Sequence, residues 1–145
     1  PCPVLAIPEK SDYRNINHIG YAADLSSYKL KDAERLVPLA KMFNAKIIFS
    51  HVAASSGQQE EKQFEEFIQR FKNVTEYHNI EHYFLPGADV VKNLKNFMED
   101  KKIDIMALTK RKREFYEGLF HTSVSKEITY SSTIPLLILQ GENGK

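Results

Sequence analysis

The sequence predicts a three-layer α/β/α sandwich built on a mainly parallel, five-stranded sheet. Three observations predict it. Apolar, strand-like runs alternate along the chain with stretches of helical periodicity. The central run "AKIIFSHVA" (45–53) is apolar almost throughout, as a strand covered on both faces is. The connections are short, and helical crossovers between neighbouring strands are right-handed and leave those strands parallel. At 145 residues the chain suffices for one domain with a full core.

The elements follow in order. "PCPVLAIPE" (1–9) is a short apolar run between prolines, and "PEKSDYRNIN" (8–17) reads as a linker. "HIGYAADL" (18–25) is the first full strand, rich in apolar and aromatic residues. Asp24, Ser26 and Ser27 then offer helix caps. Leu30, Ala33, Leu36 or Val37, Ala40 and Phe43 mark a helix, with Pro38 predicting a bend or a broken turn inside it. Asn44 suits a left-handed stop. After the strand at 45–53, "ASSGQQEE" runs into a helix whose buried stripe is Phe64, Phe67, Ile68 and Phe71. "NIEHYFLPG" (79–87) is a shorter and more polar strand, which predicts a sheet edge. A helix carrying Val90, Val91, Leu94, Phe97 and Met98 leads to the strand "KIDIMALT" (102–109). "TSVSKEITYSS" is a final helix with Val124 and Ile128 inward, and "IPLLILQ" the last strand. In such sheets ligands bind at the carboxyl ends of strands where the strand order reverses. The loops to watch therefore begin at Asp24 and Thr109.

Bulk composition excludes several classes. Twenty Lys and Arg against nineteen Asp and Glu give a net charge of +1, so nothing chain-wide argues for nucleic acid or an anionic membrane. No apolar run approaches the roughly 20 residues of a membrane helix, and no signal segment is visible. Cys2 is the only cysteine, which rules out an internal disulfide and makes the cytoplasm the expected location. There is no P-loop lysine motif, dinucleotide glycine fingerprint, HExxH or nucleophile elbow, so no catalytic residue and no metal is assigned. His78 and His82 stand four apart, but in a turn entering a strand that spacing does not converge on a metal. With His18, His51 and His121 scattered, all five histidines read as structural or exposed.

"YAADLSS" with "AERLVPLAKMFNAKIIFSHV", then "PGADVVKNLKNFMEDKKIDIMALT" and "TSVSKEITYSSTIPLLIL", resembles the universal stress protein family in register from about residue 16 to 140. The resemblance implies the adenine nucleotide alpha hydrolase-like fold of universal stress protein type. Members of that family often carry two copies in tandem. "PCPVLAIPE" matches "TIPLLILQ", with Pro3 on Pro135, an offset of 132 residues that suits one domain copy. The resemblance thus implies that 1–9 is the last strand of a preceding copy, 10–17 a linker and 18–145 the domain. The plainer reading of 1–9 is an extended tail. Paired family domains join through their last strands. That makes Pro135, Leu136, Leu137, Ile138 and Leu139 the expected contact with a preceding domain or a second copy, with 1–9 pairing there within the chain or across a dimer.

ATP-binding members follow the strand at 102–109 with a glycine, two residues, a glycine, nine residues, then glycine and serine or threonine. Those positions fall on Thr109, Lys112, Thr122 and Ser123, and no glycine is present. Each replacement adds a Cβ where the phosphate cradle requires bare backbone, at about 1–2 kcal/mol per glycine-type conformation. Asp24 occupies the family's acidic position and Val52 its adenine-lining position; the alternatives are a helix cap for Asp24 and core packing for Val52. Ser123 reads equally as a helix cap. Lys110, Arg111, Lys112 and Arg113 concentrate positive charge that would suit a small anion, or a solvated loop. The resemblance therefore implies a stress-response regulatory or binding module acting through pairing, with no cofactor and no enzyme activity. Its rival is an ATP- or AMP-binding module with an altered phosphate loop and at most slow hydrolysis.

Overall fold

A computed structural model describes residues 2–12, 14–24, 30–53, 57–110 and 122–141 of the chain. Its elements are β1 (Val4–Ala6), β2 (His18–Ala22), α1 (Leu30–Glu34), α2 (Val37–Phe43), β3 (Lys46–Ala53), α3 (Gln58–Thr75), β4 (Ile80–Pro86), α4 (Val90–Asp100), β5 (Ile105–Lys110), α5 (Thr122–Ser131) and β6 (Leu136–Gln140). One sheet runs in the order β1-β6-β5-β2-β3-β4. All pairings are parallel except the antiparallel pairing of β1 with β6.

The expected five strands are thus corrected to six. The additional strand is Val4–Ala6, which adds to β6 within the same chain. Three residues carry no periodicity that would mark a strand. Only their likeness to the β6 sequence did.

Local chemistry explains the elements. The expected bend at Pro38 is a full break: α1 ends at Glu34 and α2 starts at Val37. Pro38 then stands in the first turn of α2, where a missing N–H costs nothing. Asn44 stops α2 in the left-handed region (φ 51°, ψ 38°), as expected. Asp89 caps α4, its Oδ1 accepting the Lys92 N–H at 3.0 Å. β4 stands at the sheet edge that its polar sequence predicted.

The two faces of the sheet hold two cores, because successive strand residues point to opposite sides. On one side Ile19, Tyr21, Ile47 and Phe49 meet α1, α2 and α3 through Ala33, Ala40, Phe64 and Phe71. Phe49 packs edge-on against Phe71, with ring centroids 4.9 Å apart. On the other side Ile48, Val52, Met106 and Leu108 meet Leu94 and Phe97 of α4 and Ile128 of α5. This is the three-layer arrangement. The chain leaves β2 toward β3 and β4 on one side, while β5 and β6 lie on the other. The strand order therefore reverses between β2 and β5, and their carboxyl ends frame the crevice.

Candidate functional site

The carboxyl edge of β2, β5 and β3 is where the sequence places a site. β2 is carried one residue further by the Ala23 N–H, which donates to the Ser50 carbonyl at 2.8 Å. Asp24 follows at once, half-buried, beside the end of β5. Thr109 lies on β5, opposite Leu139 of β6, and its hydroxyl is 3.1 Å from the Tyr21 hydroxyl of β2. Val52 is opposite Leu85 of β4 and only 2% exposed, packed in the core beneath α4.

The edge thus brings Asp24 and Thr109 to neighbouring strand ends. Val52 comes to the same edge on the far side of β2, but its side chain packs on the α4–α5 face, while the Thr109 hydroxyl meets Tyr21, whose ring belongs to the other core. Val52 thus belongs to the core on the α4 side of the sheet. Thr122 opens α5, so a helix amino terminus does stand in this region. Lys112, Arg111 and Arg113 lie outside the described residues, as do the side chains of Lys110, Thr122 and Ser123, the proposed caps Ser26 and Ser27, and His121.

The same edge contains a buried polar group. His51, on β3, is 1% exposed. Its Nδ1 lies 2.9 Å from the Ala23 carbonyl oxygen, which only accepts, so Nδ1 carries a proton. Its Nε2 lies 2.7 Å from Oε1 of Glu60 on α3, and the ring is flanked by Phe64 and Phe84 at 5.8 and 5.7 Å. His51 therefore ties the backbone beside Asp24 to α3. Its structural role agrees with the sequence reading. The one hint of this bond was an ionisable residue deep inside an otherwise apolar stretch of β3, far from Lys46 at its start. His82 bonds Glu65 at 2.7 Å and His18 approaches the Lys102 carbonyl at 3.1 Å, so these two are likewise structural.

A cavity of about 590 Å³ lies at the opposite, amino-terminal edge, between the ends of α4 and α5. Arg14, Lys95 and Lys102 line it together with Glu99, Asp104 and Met98. The carboxylate Oδ2 of Asp104 accepts the N–H groups of Asn17 and His18 at 2.8 and 2.9 Å, so it is engaged in holding the linker to β5. The carboxyl ends of two helices face this cavity and disfavour an anion, while its three basic side chains favour one. No ligand class follows from it. Among the described residues no three His, Cys, Asp or Glu side chains gather as a metal site, and no helix is long and apolar enough to cross a membrane.

Residues 15–140 match the family model described as "Universal stress protein family". No curated protein matches the chain. Among solved structures, a universal stress protein in complex with cAMP shares 19% identity at a TM-score of 0.66, covering 86% of this chain and 96% of that one. The universal stress protein from Archaeoglobus fulgidus in complex with dAMP shares 13% identity at a TM-score of 0.66, covering 88% and 100%. A universal stress protein from Archaeoglobus fulgidus DSM 4304 shares 13% identity at a TM-score of 0.65; the match covers 87% of this chain but 46% of that one. These identities speak to the fold.

Proposed function

This chain belongs to the universal stress protein family, and from that premise we propose that it is a stress-response binding module that works by domain pairing at β6, without the family's ATP site. The observation that carries this reading is the antiparallel seating of β1 on the outer edge of β6. An antiparallel neighbour on the last strand of a parallel sheet is what two such sheets joined rim to rim present. The Archaeoglobus relative that is more than twice as long as the matched segment supports a two-domain arrangement, with residues 1–9 as the other domain's last strand. No catalytic role is assigned. The cytoplasm remains the proposed location.

A second reading has its own support. The relatives bound to cAMP and dAMP hold nucleotides with a single phosphate. A cradle without glycines obstructs a triphosphate more than a monophosphate, because fewer backbone amides must approach the anion. In this reading Asp24 and Val52 flank adenine, Thr109, Lys112, Thr122 and Ser123 form the altered phosphate loop, and Lys110–Arg113 hold the anion through side chains.

Thermal unfolding with ATP, AMP and cAMP separates the two. A ligand at 100 times its Kd stabilises the fold by about 2.7 kcal/mol. No shift with any of the three is the expected result. A shift with AMP or cAMP alone selects the second reading, and a larger shift with ATP overturns the loss of the ATP site. A shift abolished by modest salt assigns binding to the basic loop.

A further inference from the structure

His51 has two ring nitrogens, and each faces an oxygen that ordinarily only accepts. Nδ1 donates to the Ala23 carbonyl, and a carboxylate oxygen of Glu60 stands 2.7 Å from Nε2. A ring lone pair and a carboxylate oxygen do not hold that distance without a hydrogen between them. A neutral imidazole carries one N–H and serves one of the two partners only. One further proton therefore sits between Nε2 and Oε1. On the ring it makes an imidazolium–carboxylate pair; on the carboxyl it makes a neutral imidazole–acid pair. In both forms the pair as a whole is uncharged, and the proton belongs to the two residues jointly.

The two partners differ in their access to water. The ring is 1% exposed and flanked by Phe64 and Phe84, so a lost bond there has no solvent to replace it. The Glu60 side chain is 32% exposed and stands in the first turn of α3. Without the shared proton a lone pair faces a carboxylate, and Glu60 has water to turn to. The neighbouring elements bring further titratable groups. β2 carries Asp24, one residue beyond the bonded carbonyl, and Tyr21, whose hydroxyl meets Thr109. α1, which packs against α3, carries the buried Asp32. On the β4 side, past Phe64, His82 is bonded to Glu65. Glu61 and Lys62 of α3 are exposed. The His82–Glu65 pair repeats the chemistry in a wetter setting, with side chains 28% and 50% exposed, where water replaces either partner.

We infer that the His51–Glu60 pair is a proton-operated latch between the first turn of α3 and the end of β2 beside Asp24. With the proton in place, the start of the helix is tied through the ring to the strand end that frames the crevice. With the proton gone, the ring stays on Ala23, Glu60 turns to solvent, and the first turn of α3 comes loose. Alkalinisation is thus a signal that the carboxyl edge of the sheet registers. The latch involves neither β6 nor a nucleotide, so it stands or falls apart from the functional reading above.

Between the ordinary carboxylate and histidine ranges an unfolded chain keeps this same single proton, on the histidine; above about pH 6.5 it keeps none. From there upward unfolding releases a proton, so stability falls as pH rises until the folded pair gives up its proton as well. Urea unfolding of the parent is expected to show the folding constant dropping by up to about tenfold per pH unit, the limit for one proton. Glu60→Gln removes the need for that proton, because the amide N–H donates to a neutral Nε2 while Nδ1 keeps its bond to Ala23. The slope is expected to be largely lost in Glu60→Gln and to persist in Glu65→Gln. Hydrogen exchange localises the effect. The N–H groups of Glu60 and Glu61 both donate to the Gly57 carbonyl, at 3.0 and 3.1 Å. Their protection, corrected for intrinsic exchange, is expected to fall with rising pH in the parent and to stay level in Glu60→Gln.

A parent whose slope matches that of Glu60→Gln overturns the inference. So does a slope that Glu65→Gln removes instead, or protection at Glu60 and Glu61 that does not change with pH. The exchange measurement on the parent decides the matter by itself should Glu60→Gln fail to fold.

Discussion

Single residues hold the strand ends in place. Gly87 joins β4 to α4 at φ +150°, and a Cβ built there would stand 2.5 Å from Nδ2 of Asn93, whose amide donates to the Asp89 carbonyl at 2.8 Å. Gly87→Ala is expected to lower stability by about 1–3 kcal/mol in chemical denaturation. His51→Leu leaves the Ala23 carbonyl without its donor and Glu60 without its partner, and a loss of about 1–3 kcal/mol is expected from urea unfolding. The Glu81 carboxyl is held below the usual carboxylate range, chiefly by its hydrogen bond from Lys46 and then by that from Tyr83. A lowered carboxyl stabilises the fold above its unfolded pKa, and that contribution disappears as pH falls through the lower folded value. Because the Glu81 side chain is more than one-third exposed, Glu81→Gln should flatten the acid limb of stability against pH by no more than about 1 kcal/mol, measured by thermal melts. Sequence alone predicted Asn44 as a left-handed stop, since asparagine announces it. Glu76 and Lys102 are also at positive φ, 53° and 50°, and their side chains give no such sign, because chain reversal between packed elements imposes that conformation.

At the scale of elements, periodicity was readable wherever burial was one-sided or complete. The α3 stripe of Phe64, Phe67, Ile68 and Phe71 is buried as its spacing predicts, and β3 is apolar because both its faces are covered. Phe49 joins these two elements, touching Tyr21, Phe67 and Phe71. Phe49→Ala is expected to cost about 3–5 kcal/mol, seen as a lower denaturation midpoint with a nearly unchanged slope. The helix predicted through Pro38 is two helices because periodicity reports which residues face the core, and that facing survives a break between Glu34 and Val37. The candidate site was legible only through resemblance. Strand alternation could have placed Val52 and Thr109 on opposite faces, yet which face a ligand uses depends on the crossovers, and no local residue pattern encodes that.

Across the whole molecule, the sheet makes the two cores one thermodynamic unit. β3 sends Ile47 and Phe49 into one core and Ile48 and Val52 into the other, so neither core survives loss of the strand they share. A single unfolding transition is therefore expected, with near- and far-UV circular dichroism superimposing. Leu94→Ala beneath one face should shift that shared transition just as Phe49→Ala does beneath the other, and the double substitution should shift it by close to the sum. A second, separate transition in either variant would show that the layers unfold independently.

The two rims of the sheet are unlike. β4 borders one of them with Glu81 joined to Lys46, His82 joined to Glu65 and Lys101 lying over Tyr83. Ionic groups along such a border discourage another backbone from docking. At the far rim the place for a neighbour is filled. The sheet thus meets its surroundings through one rim guarded by charge and another closed by a strand of only three residues, too short a template to seat a long neighbouring strand.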